Sequence, residues 1–207
     1  MSKYRLNITF GDNALDIIHA AKQRVVIVKH TAERKSMVAW VSFKPFERNT
    51  IDWENDFALY ASTGETQSGA TITKLSDCEG QCRTNAIFNK GYFSSIVPDS
   101  TIGANSYEAT NKDFDVTALT FGLAQSVSVN GTAFDNHPIN AILVPRGHNA
   151  VMTPVERIDV FLEAEIDSST ILSRIDSRSL ALTYADGTDE LSIAYNTEIG
   201  EFYELKA

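Results

Sequence analysis

The stretch Ser36-Met-Val-Ala-Trp-Val-Ser-Phe-Lys-Pro-Phe-Glu-Arg-Asn-Thr-Ile-Asp-Trp-Glu-Asn-Asp-Phe-Ala-Leu-Tyr-Ala61 contains both tryptophans of the chain and alternates in hydrophobicity. A period of two residues is typical of β-strands with one buried face. In the first strand, one predicted face consists of Met37, Ala39, Val41 and Phe43. The opposite face then carries Trp40, Ser42 and Lys44.

In the second strand of this stretch, Phe57, Leu59 and Ala61 share one face, so Tyr60 lies on the other. If the faces that carry Trp40 and Tyr60 meet water, two aromatic rings lie among small and polar neighbours. Aromatic rings beside polar groups suit a sugar ligand, which has both C–H surfaces and hydroxyls. The predicted ligand-binding residues are Trp40, Trp53, Tyr60, Lys44, Arg48 and Asn49.

Short apolar segments separated by turn residues continue along the chain, which predicts an all-β fold. One short helix is expected near the N-terminus, from Asn13 to Lys22 with Asp12 as its cap. A polar segment begins near residue 98, and the order of strands before it resembles the order after it. We therefore expect two tandem, similar antiparallel β-sandwich domains, residues 1–104 and 105–207.

Three segments allow more specific strand predictions. Val25 to Val28 is an apolar β-branched run, which is typical of a strand covered on both faces. Asn130-Gly131 tolerates the positive φ angles of a two-residue β-hairpin turn. A second hairpin is expected from Leu180–Tyr184 and Leu191–Tyr195, across Asp186-Gly187.

The charge is unevenly distributed over the 207 residues. The chain carries a net charge of −9, with 12 Lys and Arg against 11 Asp and Glu in residues 1–104, and 6 against 16 in residues 105–207. The acidic half would repel phosphates, so nucleic acid is not an expected partner. Without an apolar run of signal-peptide length, we expect cytoplasmic synthesis and, if the protein is released, a route other than Sec export.

Cys78 and Cys82 are the two cysteines, in Asp77-Cys-Glu-Gly-Gln-Cys82. Two free thiols, a local disulfide and a metal pair are all compatible with this spacing, although a metal would need two further ligands. No cofactor or metal site is predicted, and no known catalytic motif occurs, so an enzyme is not expected.

Three functions remain compatible with the sequence. The first is a non-catalytic, lectin-like protein that binds a glycan through the aromatics of the N-terminal half. The second is a membrane-acting toxin or defence protein. Basic and aromatic residues are interleaved between Lys22 and Arg48, which suits binding to an anionic lipid surface, and the segment Val116–Phe134 is long enough for one transmembrane hairpin. The third is a self-associating structural protein whose partner is a second copy of the chain.

Overall fold

The computed structural model describes residues 2–11, 13–33, 36–64, 66–184 and 187–205, which are nearly all in β-strands and their connections. The elements, in chain order, are β1 (Lys3–Phe10), α1 (Ala14–Ala20), β2 (Gln23–Thr31), β3 (Ser36–Phe43), β4 (Arg48–Glu54), β5 (Ala58–Ser62), β6 (Ser76–Glu79), β7 (Thr84–Asn89), β8 (Tyr92–Pro98), β9 (Tyr107–Asn111), β10 (Ala118–Val129), β11 (Thr132–Pro138), β12 (Asn140–Pro145), β13 (Asn149–Met152), β14 (Pro154–Ala164), β15 (Ile171–Leu172), β16 (Leu180–Thr183), β17 (Glu190–Asn196) and β18 (Glu201–Glu204). The predicted all-β class is confirmed.

The strands form one large sheet and one small sheet. The large sheet has the order β16-β14-β2-β3-β12-β10-β4-β1-β17-β18, and β5, β6, β11 and β15 pair beside this path. The small sheet has the order β13-β9-β7-β8. Most neighbours are antiparallel, but β1 pairs with β17 and β7 with β9 in parallel.

Strands from the two halves of the chain alternate within the large sheet. β1 pairs with both β4 and β17, β2 pairs with β14, and β10 pairs with β4 and β5. The two tandem sandwiches at residues 1–104 and 105–207 are therefore not confirmed. The predicted pairing of Leu180–Tyr184 with Leu191–Tyr195 is wrong, because β16 pairs with β14 whereas β17 lies between β1 and β18. Asp186 of the predicted turn lies outside the described residues.

The large sheet curves around one hydrophobic core. Trp40 of β3 and Trp53 of β4 meet edge to face, with ring centroids 5.5 Å apart, although two strands separate them in the hydrogen-bonded order. The two ends of the sheet also approach each other. The hydroxyl of Tyr184, which follows β16, donates to the carbonyl oxygen of Arg5 in β1 at 3.0 Å.

The strand predicted from Val25 to Val28 is covered on both faces, as expected. Val25 and Ile27 belong to the central core, and Val26 and Val28 pack on the other face with Phe161. Because β2 lies between β14 and β3, its backbone groups are paired along both edges.

The predicted N-terminal helix is present but shorter than expected. It begins at Ala14 and ends at Ala20, with Asn13 as its N-cap residue, and it buries Ala14 and Ile18. The predicted cap, Asp12, lies outside the described residues.

The hairpin predicted at Asn130-Gly131 is confirmed. Val129 pairs with Thr132, and the two turn residues have φ angles of 51° and 80°. Positive φ at both central residues is the requirement of a type I′ turn, which matches the twist of the flanking strands. This hairpin is the end of the Val116–Phe134 segment, and the membrane hypothesis that rests on that segment stays a prediction.

Candidate functional site

The aromatic residues predicted for the ligand-binding surface are buried. Trp40 and Tyr60 are each 0% exposed, and Trp53 is 3% exposed. The indole N–H of Trp40 donates to the backbone carbonyl oxygen of Gln125 at 3.0 Å. The hydroxyl of Tyr60 donates to the backbone carbonyl oxygen of Asn140 at 2.6 Å. The prediction that Trp40 and Tyr60 form an exposed face is therefore wrong.

A β-bulge in β3 explains why Trp40 faces the core and not the predicted exposed side. Ile27 of β2 pairs with Val41, and the next residue, Val28, pairs with Ala39, so Trp40 is an extra residue between the two pairs. An extra residue changes the phase of alternation along the strand. Trp40 consequently joins Val41 in the central core, whereas Ala39 packs on the opposite face.

The three polar residues of the predicted site are dispersed. Asn49 is 2% exposed, and its amide donates to the carbonyl oxygen of Phe46 at 2.8 Å while its side-chain oxygen accepts from the Phe46 backbone N–H at 2.9 Å. It thus holds the β3–β4 connection. Lys44 and Arg48 are exposed at the two ends of that connection. The six predicted residues do not form one surface.

The described residues form a cleft of about 620 Å³ at the point where β10 changes its pairing partner from β5 to β4. β10 pairs with β5 as far as Ala124 and with β4 from Val127 onward. The cleft opens across this change of partner, and β6 and β11 provide its sides. Trp53 lines it, and is the one residue of the predicted site that does.

Six carboxylates line the cleft. They are Asp52, Glu54, Asp56, Asp77, Glu79 and Asp135. Asp52 and Glu54 are two residues apart on β4, so alternation places them on one face of the strand, and the same holds for Asp77 and Glu79 on β6. Paired acidic residues at this spacing are visible in the sequence, but the sequence does not show that β4 and β6 lie beside one cleft.

Half of these carboxylates have a cationic partner. The ion pairs are Lys3–Glu54 at 2.9 Å, Arg5–Asp52 at 2.7 Å and Lys74–Asp77 at 2.5 Å. The hydrogen bond and charge of Lys3 lower the pKa of Glu54. Within the described part of the chain, Asp56, Glu79 and Asp135 are exposed and form no ion pair.

A second β-bulge shapes the side of the cleft formed by β11. Asp135 and Asn136 lie opposite the single residue Ser126 of β10. Asn136 has a φ of 47°, which asparagine tolerates better than most residues, and its backbone N–H donates to the Ser126 hydroxyl at 3.0 Å. Bulges of this kind redirect side chains, and here the bulge places Asp135 at the cleft.

The apolar part of the lining includes three aromatic rings. Trp53 and Phe57 are buried, whereas Phe134 is half-buried and lines the cleft. Phe134 also meets the ring of His137 edge to face, with centroids 5.2 Å apart. No local sequence pattern indicates Phe134 as a cleft residue, because its position beside the β11 bulge depends on long-range pairing.

A buried lysine lies behind this lining. The Lys29 ammonium is 5.6 Å from the ring centroids of both Trp40 and Trp53 and 5.3 Å from that of Phe57, which is cation–π distance. It donates to Gln125 Oε1 at 2.8 Å. Burial lowers the pKa of Lys29 to about 8, against the opposing effect of the Glu156 carboxylate at 3.3 Å.

A second cleft, of about 470 Å³, adjoins Trp53. It shares Asp52, Trp53, Glu54 and Ser128 with the first. Trp53 and its two neighbours in β4 therefore separate two openings in the same surface.

Both cysteines are free thiols. Cys78 lines the main cleft, and burial, followed by the charge of Asp77, raises its pKa to about 11. Cys82 is exposed. Of the three alternatives for Cys78 and Cys82, the structure therefore has the two free thiols and no disulfide between them.

Comparison with known proteins identifies no relative: no protein-family model, curated protein or solved structure matches the chain. Among the described residues, no cluster of three or more His, Cys, Asp or Glu side chains has a metal-binding arrangement. No helix in the described ranges is long and apolar enough to cross a membrane.

Proposed function

We propose that the protein is a non-catalytic carbohydrate-binding protein and that the ligand lies in the main cleft. The observation that carries this proposal is the combination of hydrogen-bonding side chains from four strands with one partly exposed ring, Phe134, in a single cleft of about 620 Å³. That volume lies within the range of small-molecule sites. Trp40 and Tyr60 have no part in this binding mode because they are buried.

The two kinds of lining group match the two kinds of surface on a sugar. Carboxylate oxygens, such as those of Glu79 and Asp135, accept hydrogen bonds from hydroxyls, and the hydroxyl of Ser128 can both donate and accept. The C–H face of a pyranose packs against an aromatic ring such as Phe134. The exposed carboxylates repel acidic sugars, so the ligand is neutral or positively charged.

A glycan array followed by calorimetry on the full chain tests the proposal. Phe134→Ala should weaken binding of a captured glycan about tenfold, which corresponds to about 1.4 kcal/mol. Phe114→Ala is the matched control, because Phe114 is 74% exposed and lies outside the cleft. No binding to any glycan, or equal losses in the two variants, would contradict a sugar site at Phe134. Release of reducing ends from a bound oligosaccharide would show that the protein is an enzyme.

A further inference from the structure

A buried amine, a buried side-chain amide and a carboxylate meet inside the large sheet. Lys29 of β2 is 1% exposed and Gln125 of β10 is 0% exposed, and the Lys29 ammonium donates to Gln125 Oε1 at 2.8 Å. Glu156 Oε2 lies 3.3 Å from the same ammonium. Because β3 and β12 separate β2 from β10 in the hydrogen-bonded order, the Lys29–Gln125 contact crosses the core and does not join neighbouring strands.

The Gln125 amide is held in one orientation. Its Nε2 donates to the backbone carbonyl oxygen of Glu54 at 2.6 Å, while its Oε1 accepts from Lys29. The backbone carbonyl oxygen of Gln125 accepts from the Trp40 indole N–H at 3.0 Å. The amide carbon is one bond, about 1.2 Å, from Oε1, so Lys29 Nζ lies no more than about 4 Å from that carbon. A shift of about 1 Å brings the two atoms to the distance at which a nucleophile attacks.

The surroundings of Lys29 favour its uncharged amine, which is the nucleophilic form. The side chain is 0% exposed, and the ring centroids of Trp40, Trp53 and Phe57 lie within 5.6 Å of its nitrogen. Burial lowers the pKa of Lys29 to about 8, so many molecules carry the neutral amine at mildly alkaline pH. The Glu156 carboxylate is close enough to accept a proton from this amine.

We propose that Lys29 and Gln125 join through an intramolecular isopeptide bond, without a second enzyme. The neutral Lys29 amine attacks Cδ of Gln125, and Glu156 accepts one proton from the attacking nitrogen. That proton passes to the departing amide nitrogen, which leaves as ammonia. One C–N bond forms and one breaks, so the step needs no oxidant or reductant. Fixed geometry inside the fold replaces the encounter of two separate molecules.

The bond would fasten β2 to β10 across the core, whatever the main cleft binds. The two residues are 96 positions apart in sequence, and a cross-link that closes a loop of this size restricts the unfolded chain. After the reaction the Lys29 nitrogen belongs to an amide and no longer titrates. Chains that have not reacted keep the titratable ammonium, and intact mass distinguishes the two forms.

Mass spectrometry of the denatured full chain tests the proposal. After incubation at about pH 8.5, where the neutral amine is abundant, the chain should have lost the mass of one ammonia. Trypsin should then release a branched peptide in which residues 25–34, uncleaved at Lys29, are joined to residues 113–146. Ammonia loss at Asn130-Gly131 would leave these two peptides separate. Separate peptides would overturn the proposal and show that the hydrogen bond only satisfies a buried ammonium.

Variants test the role of the carboxylate. Glu156→Gln keeps both reacting groups but removes the base, so the linked fraction should fall at least about tenfold after the same incubation. Glu198→Gln removes an exposed carboxylate and is the matched control, with an unchanged linked fraction. Equal linked fractions in these two variants would contradict the role of Glu156. The branched peptide of the unsubstituted protein decides whether the bond forms, even if Glu156→Gln does not fold.

Thermal melting provides a second measurement on a single sequence. Linked protein should melt roughly 10 °C or more above unlinked protein, because the cross-link restricts only the unfolded state. Equal melting temperatures of the two forms would contradict a clamp across the core.

Discussion

The ammonium of Lys29 lies 5.6 Å from the centroid of the Trp53 ring, inside the core of the large sheet. One side of Trp53 therefore faces a buried cation, while the residue also lines the proposed binding cleft. A lysine at such a position loses its hydration, and the aromatic rings and two oxygen acceptors replace only part of that interaction.

We expect the burial of Lys29 to make stability depend on pH. Its pKa in the folded protein is about 8, against an ordinary value of 10.5. Between these values the unfolded chain binds the proton and the folded chain does not, so the free energy of unfolding rises with pH. The gain is on the order of 3 kcal/mol across the whole window.

The measurement is denaturant unfolding of the unmodified protein and of Lys29→Met at about pH 7 and about pH 9.5. The unmodified protein should gain stability relative to Lys29→Met as the pH rises. Lys44→Met, at an exposed lysine, should show no such change relative to the unmodified protein. A constant difference between the unmodified protein and Lys29→Met would show that Lys29 does not titrate in this window.

Gly122→Ala should destabilise the protein strongly. A Cβ atom at Gly122 would lie 2.1 Å from the carbonyl oxygen of Asn140 and 2.4 Å from a ring carbon of Tyr60. Both neighbours are buried, so we expect a loss of about 3 kcal/mol or more. Gly11→Ala is the control, because nothing lies within 4 Å of its Cβ position. Equal melting temperatures for the two variants would mean that β10 and β12 separate more easily than their packing indicates.

Asn130→Gly tests whether the hairpin turn is held by a side chain. Glycine suits the φ of 51°, but the substitution removes two hydrogen bonds: Asn130 Oδ1 accepts from Thr50 N–H at 2.8 Å, and Nδ2 donates to Asn49 Oδ1 at 3.1 Å. We expect a net loss of about 1 kcal/mol in thermal or chemical unfolding. Lys90→Gly relaxes a φ of 55° at an exposed residue and should be neutral or stabilising. A stabilised Asn130→Gly would show that backbone strain outweighs these bonds.

The two thiols should differ in reactivity. Cys82 is exposed, whereas burial raises the pKa of Cys78 to about 11, so at neutral pH the thiolate of Cys78 is scarce. Mass spectrometry after a short iodoacetamide treatment should find Cys82 alkylated and Cys78 largely unmodified. A ligand that occupies the main cleft should protect Cys78 further. Faster modification of Cys78 would indicate that this part of β6 opens.

The sequence predicted local features better than long-range ones. Asn130-Gly131 specifies its turn through backbone preference, and the β-branched run Val25–Val28 specifies a fully covered strand, so both predictions were confirmed. The facing of Trp40 depends on a bulge that arises only when β3 pairs with β2. Alternation alone does not contain that information.

The candidate cleft was missed for the same reason. Trp53 was selected as an aromatic residue, but its neighbours in the cleft come from strands that are distant in sequence, such as Asp77 in β6 and Asp135 in β11. Their proximity follows from β10 pairing with β5, β4 and β11. A periodic pattern shows which side of a strand is polar, not which strand lies beside it.

The parallel pairing of β1 with β17 determines when the large sheet can be completed during translation. Leu6 lies opposite Leu191, so β1 remains without one neighbour until the chain as far as β17 has left the ribosome. At ordinary elongation rates this delay is roughly 10 to 40 s. β1 therefore gains its β17 neighbour late, and nascent chains that stall before β17 expose an unpaired strand edge that chaperones or other nascent chains can bind.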